Sequence, residues 1–352
     1  MRRSIKFRVF CVILVLSTGL LFAGGQADTV KSSIPLVGMV TDVGGLGDGS
    51  FNDGCFAGMK QAEKEGIAKI NVVESKQMTD YVPNLSGLGE DGAKLVFAVG
   101  FLMNDAVIEA ATNNPDTMYA GIDLWFDPST VPANLKGITW KEQEAGYLAG
   151  VVAGLMTKKY ASVSDKLNNE NVIGAVLGMD IPPVERYFVG FYMGAKSVNP
   201  DVEVRSVVTG TFADQAKGKE ATYAMVESGA DIVIGIAGLT GLGMINAATE
   251  KGILAIGADI DQNSLAPDTV LTSALKGTTT ATYLTIKDFS EGNFQGGSNS
   301  TYGLKEGAID IAPFHGFDSI VPAEVKDAVK EAKRKIISGE IVVPSTRKEA
   351  GL

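Results

Sequence analysis

The sequence predicts an α/β protein with two similar lobes, each built on a doubly wound parallel sheet. Strand-like and helix-like segments alternate along the chain, which is typical of parallel sheets covered by helices on both faces. The length of 352 residues exceeds one ordinary domain. The pattern of the first half also recurs in the second. A composition of 45% hydrophobic and 20% charged residues supplies a large packed core.

The first residues have the order of a secretory signal peptide. Four basic side chains within residues 2–8 precede an apolar run at 9–22 and small residues at 23–27. The apolar run is short for a membrane span, so an uncleaved anchor is the weaker alternative. We expect residues 1–27 to be removed and the chain to be exported. No small-residue lipobox precedes Cys11, so the sequence does not support a lipid anchor.

The first predicted strand, 36–41, runs through a glycine-rich loop into a helix. We expect Ser50 or Asn52 to cap that helix. Ligands of open α/β sheets lie outside the carboxyl ends of the strands, where Asp42 and Phe51 stand. The alternative is a solvated loop with Phe51 packed beneath it.

The alternation continues through both halves of the chain. Strands are predicted at 36–41, 70–73, 94–99, 118–122, 172–177, 202–208, 232–236 and 254–258. Helices are predicted at 53–65, 103–113, 142–158, 184–197, 214–228 and 242–251.

Three segments of the first half recur in the second, displaced by 136 or 137 residues. The pairs are 37–40 with 173–176, 90–97 with 227–234, and 119–123 with 255–259. Such a repeat predicts two lobes of like topology, whose strand ends face each other across a cleft. Asp123 and Asp259 occupy equivalent positions in it.

The last part of the chain does not repeat and is expected to join the lobes. The predicted segments are strand 269–275, helix 279–289, strands 302–304 and 308–311, helix 323–337 and strand 341–343, with a surface turn at 291–300. They would form a multi-strand hinge. The predicted lobes are 34–138 plus 277–303 and 139–276 plus 304–352.

Charge and cysteine content exclude some classes of partner and bond. The chain carries 31 basic and 41 acidic residues, and the leader removes four of the basic ones. An acidic surface repels nucleic acid, so no nucleic-acid partner is expected. Only Cys55 remains after the leader, so the mature chain forms no intramolecular disulfide.

Several motifs along the mature chain resemble those of the basic membrane protein (Bmp) family, the substrate-binding proteins of ABC importers. They are Thr-Asp at 41–42, Asp-Gly-Ser-Phe-Asn at 48–52, Gly-Ile-Asp at 121–123, Thr-Phe-Ala-Asp at 211–214, the glycine-rich 237–243, Gly-Ala-Asp-Ile-Asp-Gln at 257–262 and 272–276. The match is closest to the purine nucleoside receptors of that family. The resemblance implies a type I periplasmic-binding fold.

The resemblance also implies a site. The base of a nucleoside would lie between the rings of Phe51 and Phe212. The other implied ligand-binding residues are Asp42, Asn52 and Asp123 for the base, and Gly238, Asp259 and Lys276 for the ribose. The chain departs from the family pattern with Gly49, Leu239 and Leu242, and it lacks the family's lipid-attachment cysteine.

The chemistry of these residues suits a flat, uncharged ligand. Stacking on an aromatic ring contributes roughly 1–3 kcal/mol per base. Ionised carboxylates accept strong hydrogen bonds from hydroxyl and N–H donors. Lys276 is the expected counter-charge of the carboxylates. Either Phe51 or Phe212 also fits an ordinary core position.

Phosphorylated ligands and enzymatic chemistry have less support. The chain contains neither a Gly-x-Gly-x-x-Gly nor a Walker-type motif. A hydrolase that cleaves the glycosidic bond is the rival class, but the only histidine, His315, lies in a loop, and we identify no nucleophile elbow. We therefore expect no catalytic residue, no metal and no cofactor.

Within the binding class, riboflavin or a furanose sugar is the alternative cargo. The sequence thus predicts an exported, monomeric receptor. It closes by hinge bending on a nucleoside and delivers it to an ABC permease in the membrane.

Overall fold

The described part of the chain is built on two six-stranded sheets. The computed structural model describes residues 34–352, and the predicted signal peptide lies outside them. The first sheet and its helices begin with β1 (Leu36–Thr41), α1 (Phe51–Lys64), β2 (Lys69–Glu74), α2 (Tyr81–Glu90), β3 (Leu95–Val99), α3 (Asn104–Asn113), β4 (Met118–Ile122) and β5 (Leu135–Trp140).

The second sheet follows with the same alternation. Its elements are α4 (Glu142–Met156), β6 (Val172–Leu177), α5 (Pro182–Val198), β7 (Glu203–Val208), α6 (Gln215–Glu227), β8 (Ala230–Ile236), α7 (Leu239–Lys251), β9 (Leu254–Asp259) and β10 (Val270–Lys276). The chain ends with α8 (Thr278–Ser290), β11 (Ser298–Tyr302), β12 (Ile309–Ile311), α9 (Ala323–Ser338) and α10 (Arg347–Ala350).

The two sheets have the same strand order, as the repeat predicts, and differ in the direction of one edge strand. The strand orders are β11-β5-β4-β3-β1-β2 and β12-β10-β9-β8-β6-β7. Every neighbouring pair is parallel except β10 with β12. The equivalence extends to single residues. A Cβ at Gly38 would lie 2.9 Å from Leu88 of α2, and one at Gly174 would lie 2.5 Å from Met225 of α6. Glycine therefore lets the equivalent helices approach both sheets.

The chain passes between the sheets three times. It crosses between β5 and α4, between β10 and α8, and between β11 and β12. Helix α8 packs on α1, whereas α4 packs on α5 and α9. This is the multi-strand connection expected of the fold class. Among residues 34–352 no helix combines the length and apolarity that crossing a bilayer requires.

The helices pack on the sheets through apolar faces. In α9 the buried positions are Val325, Val329, Ala332 and Ile336, which recur at helical spacing. One continuous core cluster includes buried side chains from both sheets and from α4 and α5.

Several element predictions were wrong or incomplete. The strand predicted at 302–304 is instead β11, which ends at Tyr302, and the short helix α10 was not predicted. Strand β5 and helix α2 were not predicted, because β5 follows a proline-containing loop, and α2 contains a proline and two glycines, which are poor helix formers. The predicted turn at 291–300 is partly strand β11, whose polar sequence pairs with β5. No strand forms at 341–343, where Val342 is 84% exposed.

Candidate functional site

All eight residues that the sequence singled out line one cleft between the two sheets. The cleft holds about 550 Å³ of space not filled by atoms, part of it open to solvent. The carboxyl ends of both parallel sheets contribute to its walls. The residues brought together are Asp42, Phe51, Asn52, Asp123, Phe212, Gly238, Asp259 and Lys276.

The glycine-rich loop after β1 is organised by a buried carboxylate. Asp48 accepts hydrogen bonds from the backbone N–H groups of Ser50 (2.9 Å), Asn52 (2.9 Å) and Asp53 (3.1 Å). The capping prediction was right only in position: Ser50 is the N-cap residue of α1, but neither Ser50 nor Asn52 caps the helix through its side chain. Asp48 satisfies the free donors at the helix start, which releases both side chains for other contacts.

The side chain of Asn52 joins two carboxylates. Its Nδ2 donates to Asp42 Oδ1 at 3.0 Å and to Asp48 Oδ2 at 3.2 Å. Asp42 Oδ1 also accepts from the backbone N–H of Gly44 at 2.9 Å. These bonds hold the end of β1 and the start of α1 in a fixed relation at the wall of the cleft.

The two candidate aromatic rings come from different lobes and are both partly buried. Phe51 is the first residue of α1, and the ammonium of Lys276 lies 5.0 Å from its ring centroid. The ring of Phe212 covers Gly178, at which a Cβ would lie only 2.3 Å from the ring atoms. Glycine at 178 therefore leaves the room in which the Phe212 ring lies.

The acidic residues that end β4 and β9 have the same unusual backbone. Asp123 and Asp259 have φ values of 67° and 69°, in the left-handed region that few residues other than glycine adopt. Equivalent positions in the repeat therefore carry the same strained turn. Such strain is commonly found at functional sites.

Lys276 is the centre of a buried charge network that joins the two lobes. Its Nζ lies 2.5 Å from Asp123 Oδ1, in the first lobe, and 3.0 Å from Glu142 Oε1, at the start of α4. Glu142 is fully buried, and its other oxygen accepts from Arg186 Nε at 2.5 Å. The role expected of Lys276 as a counter-charge is consistent with these contacts.

Asp259 makes the second link across the cleft. Its Oδ2 accepts a hydrogen bond from Ser50 Oγ at 2.7 Å, and its Oδ1 accepts one from Tyr187 Oη at 3.3 Å. Nearby, Gln262 Nε2 donates to the carbonyl oxygen of Gly49 at 2.8 Å. The cleft is thus closed at this edge by direct hydrogen bonds.

Burial alters the titration of most of these groups. It raises the pKa of Asp48 and of Asp123 to about 6, and it raises the pKa of Asp42 and Asp259 in the same direction. Burial also disfavours the charged form of Lys276, but the surrounding carboxylates outweigh it and raise its pKa above the usual value.

Glu142 is shifted in the opposite direction. Desolvation opposes its ionisation, but the positive charges of Lys276 and Arg186 prevail and hold the pKa of Glu142 below its usual value. It is therefore the anion that keeps Lys276 charged when Asp123 is protonated.

The family is decided by a match over nearly the whole described chain. The family model described as "Bmp: ABC transporter substrate-binding protein PnrA-like" matches residues 36–347. The chain belongs to the Bmp family.

The names of similar proteins agree with the assignment of this chain to the Bmp family. It is 32% identical over 343 residues to "Basic membrane protein A" of Borreliella burgdorferi, covering 97% of this chain and 96% of the relative. It is 33% identical over 344 residues to "ABC transporter nucleoside-binding protein BmpA" of Lactococcus lactis, covering 92% of each. A related chain of Pyrococcus furiosus, 32% identical, is named an uncharacterized lipoprotein.

A solved structure of an ABC transporter protein is similar to this Bmp-family chain in fold and sequence. An ABC transporter solute-binding protein from Aeropyrum pernix superposes with a TM-score of 0.82 at 29% identity, covering 90% of this chain and 95% of that one. Solute-binding proteins at 12% identity, such as one from Burkholderia graminis with a TM-score of 0.58, show the fold alone. The protein is an ABC transporter substrate-binding protein with the type I periplasmic-binding fold.

Gly49 and Leu242, at which this Bmp-family chain departs from the family pattern, lie next to each other. A Cβ at Gly49 would lie 3.3 Å from Leu242 Cδ2 and 3.3 Å from Leu265 Cδ1. The loop of the first lobe therefore rests on apolar side chains of the second lobe at this position.

Three important side chains of the cleft were not expected from the sequence. Asp48 stands within a quoted motif, and its spacing before Ser50 and Asn52 signals an acceptor for loop N–H groups. Glu142 could have been noticed as an acid that opens a long apolar helix. Tyr187 lies within the amphipathic α5, where nothing in the pattern distinguishes a site residue from a core residue.

His315 lies outside the cleft. Its Nε2 contacts Asp261 Oδ2 at 2.6 Å, in a short 3₁₀ turn. Within residues 34–352 no group of three or more His, Cys, Asp or Glu side chains is placed to hold a metal ion.

Proposed function

We propose that this Bmp-family protein is an exported receptor that binds a nucleoside, with preference for purine nucleosides, in the cleft between its lobes. The ligand-binding residues proposed are the eight named for the cleft. The observation that carries the proposal is the convergence in one cleft of Phe51 and Phe212, from different lobes, with Asn52, whose buried Oδ1 has no hydrogen-bond partner in the described chain.

The aromatic rings would bind the flat base. Each ring stacked on a base contributes roughly 1–3 kcal/mol, and rings from two lobes reward closure. The carboxylates at the ends of β1, β4 and β9 would accept hydrogen bonds from base N–H groups and ribose hydroxyls. The printed name of the Lactococcus lactis relative, a nucleoside-binding protein, supports this assignment.

The charge of the cleft favours a neutral ligand over a phosphorylated one. Lys276 is the only cation among the described residues that line the cleft, and Asp123 and Glu142 already neutralise it. A phosphate would meet Asp42, Asp48 and Asp259 without a free counter-charge. We therefore expect nucleosides to bind and nucleotides to be rejected.

The lobes would move as two bodies about the three chain crossings. We assign them to 34–138 plus 277–303 and to 139–276 plus 304–352, with residues 1–27 removed on export. The closed, loaded monomer would then dock on a membrane permease. We infer that the protein is extracytoplasmic and performs no chemistry on its ligand. A relative from Pyrococcus furiosus is named a lipoprotein. Lipid labelling of the exported protein tests whether this chain is tethered to the membrane.

Calorimetry on ligand-free protein tests the proposal. The protein is unfolded in denaturant, dialysed to remove any co-purified ligand, refolded and titrated with inosine, guanosine, adenosine, uridine, GMP, ribose and riboflavin. Purine nucleosides should bind and GMP should not. Tighter binding of riboflavin or ribose would replace the proposal with that cargo.

A second assay separates binding from hydrolysis. The protein is incubated with inosine, and free hypoxanthine is measured by chromatography over many equivalents of substrate. A binding protein releases none. Sustained release of hypoxanthine would show a hydrolase instead.

A further inference from the structure

The hydrogen bonds of Asn52 fix which of its atoms is left for a ligand. The side chain is 2% exposed, and its Nδ2 group gives its two hydrogens to Asp42 Oδ1 and Asp48 Oδ2. Its Oδ1 is buried without a partner. The reversed amide would point Oδ1 at two carboxylates, which repel it. The free atom of Asn52 is therefore an acceptor.

Asp42 presents a second acceptor close by. Its Oδ1 already receives hydrogen bonds from Asn52 and from the backbone of Gly44, whereas no donor in the described chain reaches Oδ2. A Cβ at Gly100 would lie 3.0 Å from that Oδ2, and Gly100 has a φ of 122°. Glycine at this position leaves the space in front of Oδ2 open.

Asp42, Asn52 and Phe212 line the same part of the cleft and meet around Gly44. A Cβ built on Gly44 would lie 3.0 Å from Asp42 Oδ1, 3.2 Å from Asn52 Nδ2 and 3.7 Å from Phe212 Cβ. In the proposed site, a base stacked on Phe212 would turn one edge toward Asp42 and Asn52, whose free atoms are Oδ2 and Oδ1. With Asp42 ionised, that edge would meet two acceptor atoms and no side-chain donor from this pair.

We infer that, within the proposed nucleoside site, the base edge that faces Asp42 and Asn52 carries two adjacent N–H donors, and that guanosine is the preferred ligand. This inference rests on the proposed function and names the base. Guanine has a ring N–H next to an exocyclic amino group. Adenine and cytosine each place an acceptor nitrogen beside their amino group. Hypoxanthine and uracil have a single N–H between carbon or carbonyl neighbours.

The penalty for a wrong base comes from the atoms left unpaired. A buried acceptor that loses its only donor costs more than a neutral exchange with water, and a donor-donor edge satisfies both acceptors at once. Inosine leaves one acceptor unpaired. Adenosine places its own acceptor nitrogen against one of them, which adds repulsion.

Competition calorimetry on the refolded, ligand-free protein tests the base preference. Guanosine should bind about 10-fold to 100-fold tighter than inosine, and adenosine should bind more weakly than inosine. The analogue 1-methylguanosine, which lacks the ring N–H, should lose at least 10-fold relative to guanosine. Equal affinity for guanosine and inosine would overturn the inference and leave the proposed function standing. A failure of every nucleoside to bind would instead remove the proposed function.

The variant Asp42→Asn replaces one of the two acceptors with a donor. Its oxygen should keep the bonds to Gly44 and Asn52, so its new amide group should stand where Oδ2 stood and act as a donor. The ratio of guanosine to adenosine affinity should fall at least 10-fold. An unchanged ratio in a variant with the unfolding midpoint of the parent would overturn the inference. The variant Asp310→Asn, on the surface beside Lys333, is the control and should keep the ratio of the parent.

Discussion

At the scale of single residues, substitution of Phe212 distinguishes a ligand-binding role from a packing role. Its ring is partly buried, packs against the edge of the core and covers Gly178 at the wall of the cleft. We expect Phe212→Ala to leave the fold intact and to weaken nucleoside binding by about 5-fold to 150-fold, because one stacking surface is lost. The measurement is calorimetric affinity with circular dichroism as the check on folding.

A matched variant controls for general damage. Phe294 is also partly buried and contacts Phe289 with ring centroids 6.2 Å apart, but it does not line the cleft. Phe294→Ala should keep the affinity of the parent. Unchanged affinity in Phe212→Ala would remove Phe212 from the site.

Substitution of Lys276 is expected to change the stability of the fold. Replacing it with methionine leaves the carboxylates of Asp123 and Glu142 buried with less compensation, which typically costs about 3–5 kcal/mol of unfolding free energy. Urea denaturation at pH 7 measures the loss. Lys330→Met removes an exposed partner of Asp327 and should not change the midpoint. A wild-type midpoint in Lys276→Met would contradict the network described here.

The acidic residues of the cleft should make stability and ligand affinity depend on pH in opposite directions. Burial raises the pKa of Asp48 and Asp123 to about 6, so the folded protein binds more protons than the unfolded chain between about pH 4 and 6. The stability contributed by these two groups is therefore lost as the pH rises through that window. A ligand that donates hydrogen bonds to the carboxylates favours their ionised form, so affinity should fall below about pH 6.

Thermal unfolding with and without guanosine at pH 5 and pH 7.5 measures both effects. The ligand-induced rise in Tm should be smaller at pH 5. Glu142, whose pKa is lowered, contributes the opposite trend only below its ordinary value, outside this range. A larger rise in Tm at pH 5 would mean that the ligand binds when the carboxyl groups of the cleft are protonated.

The sequence predicted which residues meet in the cleft better than how they are held there. Asp123 and Asp259 could be placed because each follows an apolar strand at an equivalent point of a repeat. The task of Asp48 could not be separated from that of Ser50, because both residue types accept hydrogen bonds at helix starts and only their spatial arrangement decides. Tyr187 gave no signal, because a helix face that packs on a core and one that reaches a cleft have the same periodicity.

At the scale of elements, the α4 and α5 pair positions one wall of the site. Glycines of each helix meet the backbone of the other: a Cβ at Gly150 would lie 2.1 Å from the carbonyl oxygen of Phe191, and one at Gly194 would lie 2.0 Å from that of Tyr147. Side-chain volume at these positions would separate the helices. Because α4 begins with Glu142 and α5 carries Arg186, their close packing also holds the charge network together.

A pair of glycine-to-alanine variants tests this packing. Gly150→Ala should lower the unfolding free energy by about 1–3 kcal/mol, because the new methyl group meets backbone atoms that cannot move away. Gly87→Ala, in α2, meets nothing within 4 Å and should raise stability by about 0.5–1 kcal/mol, through reduced chain entropy. Urea denaturation measures both. Equal effects of the two variants would show that α4 and α5 adjust their spacing freely.

At the scale of the whole molecule, polar bridges cross the cleft in addition to apolar packing between the lobes. The cleft is bridged by Ser50 with Asp259, by Gln262 with the loop at Gly49, and by Lys276 with Asp123. Two of these bridges involve charges whose desolvation offsets much of the gain. A ligand that contacts both lobes adds binding energy only in the closed form, so it shifts the population toward closure.

Distances between two spin labels test that shift. Lys76, after β2, and Lys217, at the start of α6, are exposed positions on different lobes, and the buried thiol of Cys55 is protected from labelling. In the double variant Lys76→Cys/Lys217→Cys, saturating guanosine should shorten the mean distance and narrow its distribution. GMP, which we expect the acidic cleft to reject, should leave the distribution as it is without ligand. A distance that guanosine does not change would mean that the lobes are already closed when empty. Binding would then have to proceed by local opening of the loop at residues 44–50 rather than by hinge motion of the lobes.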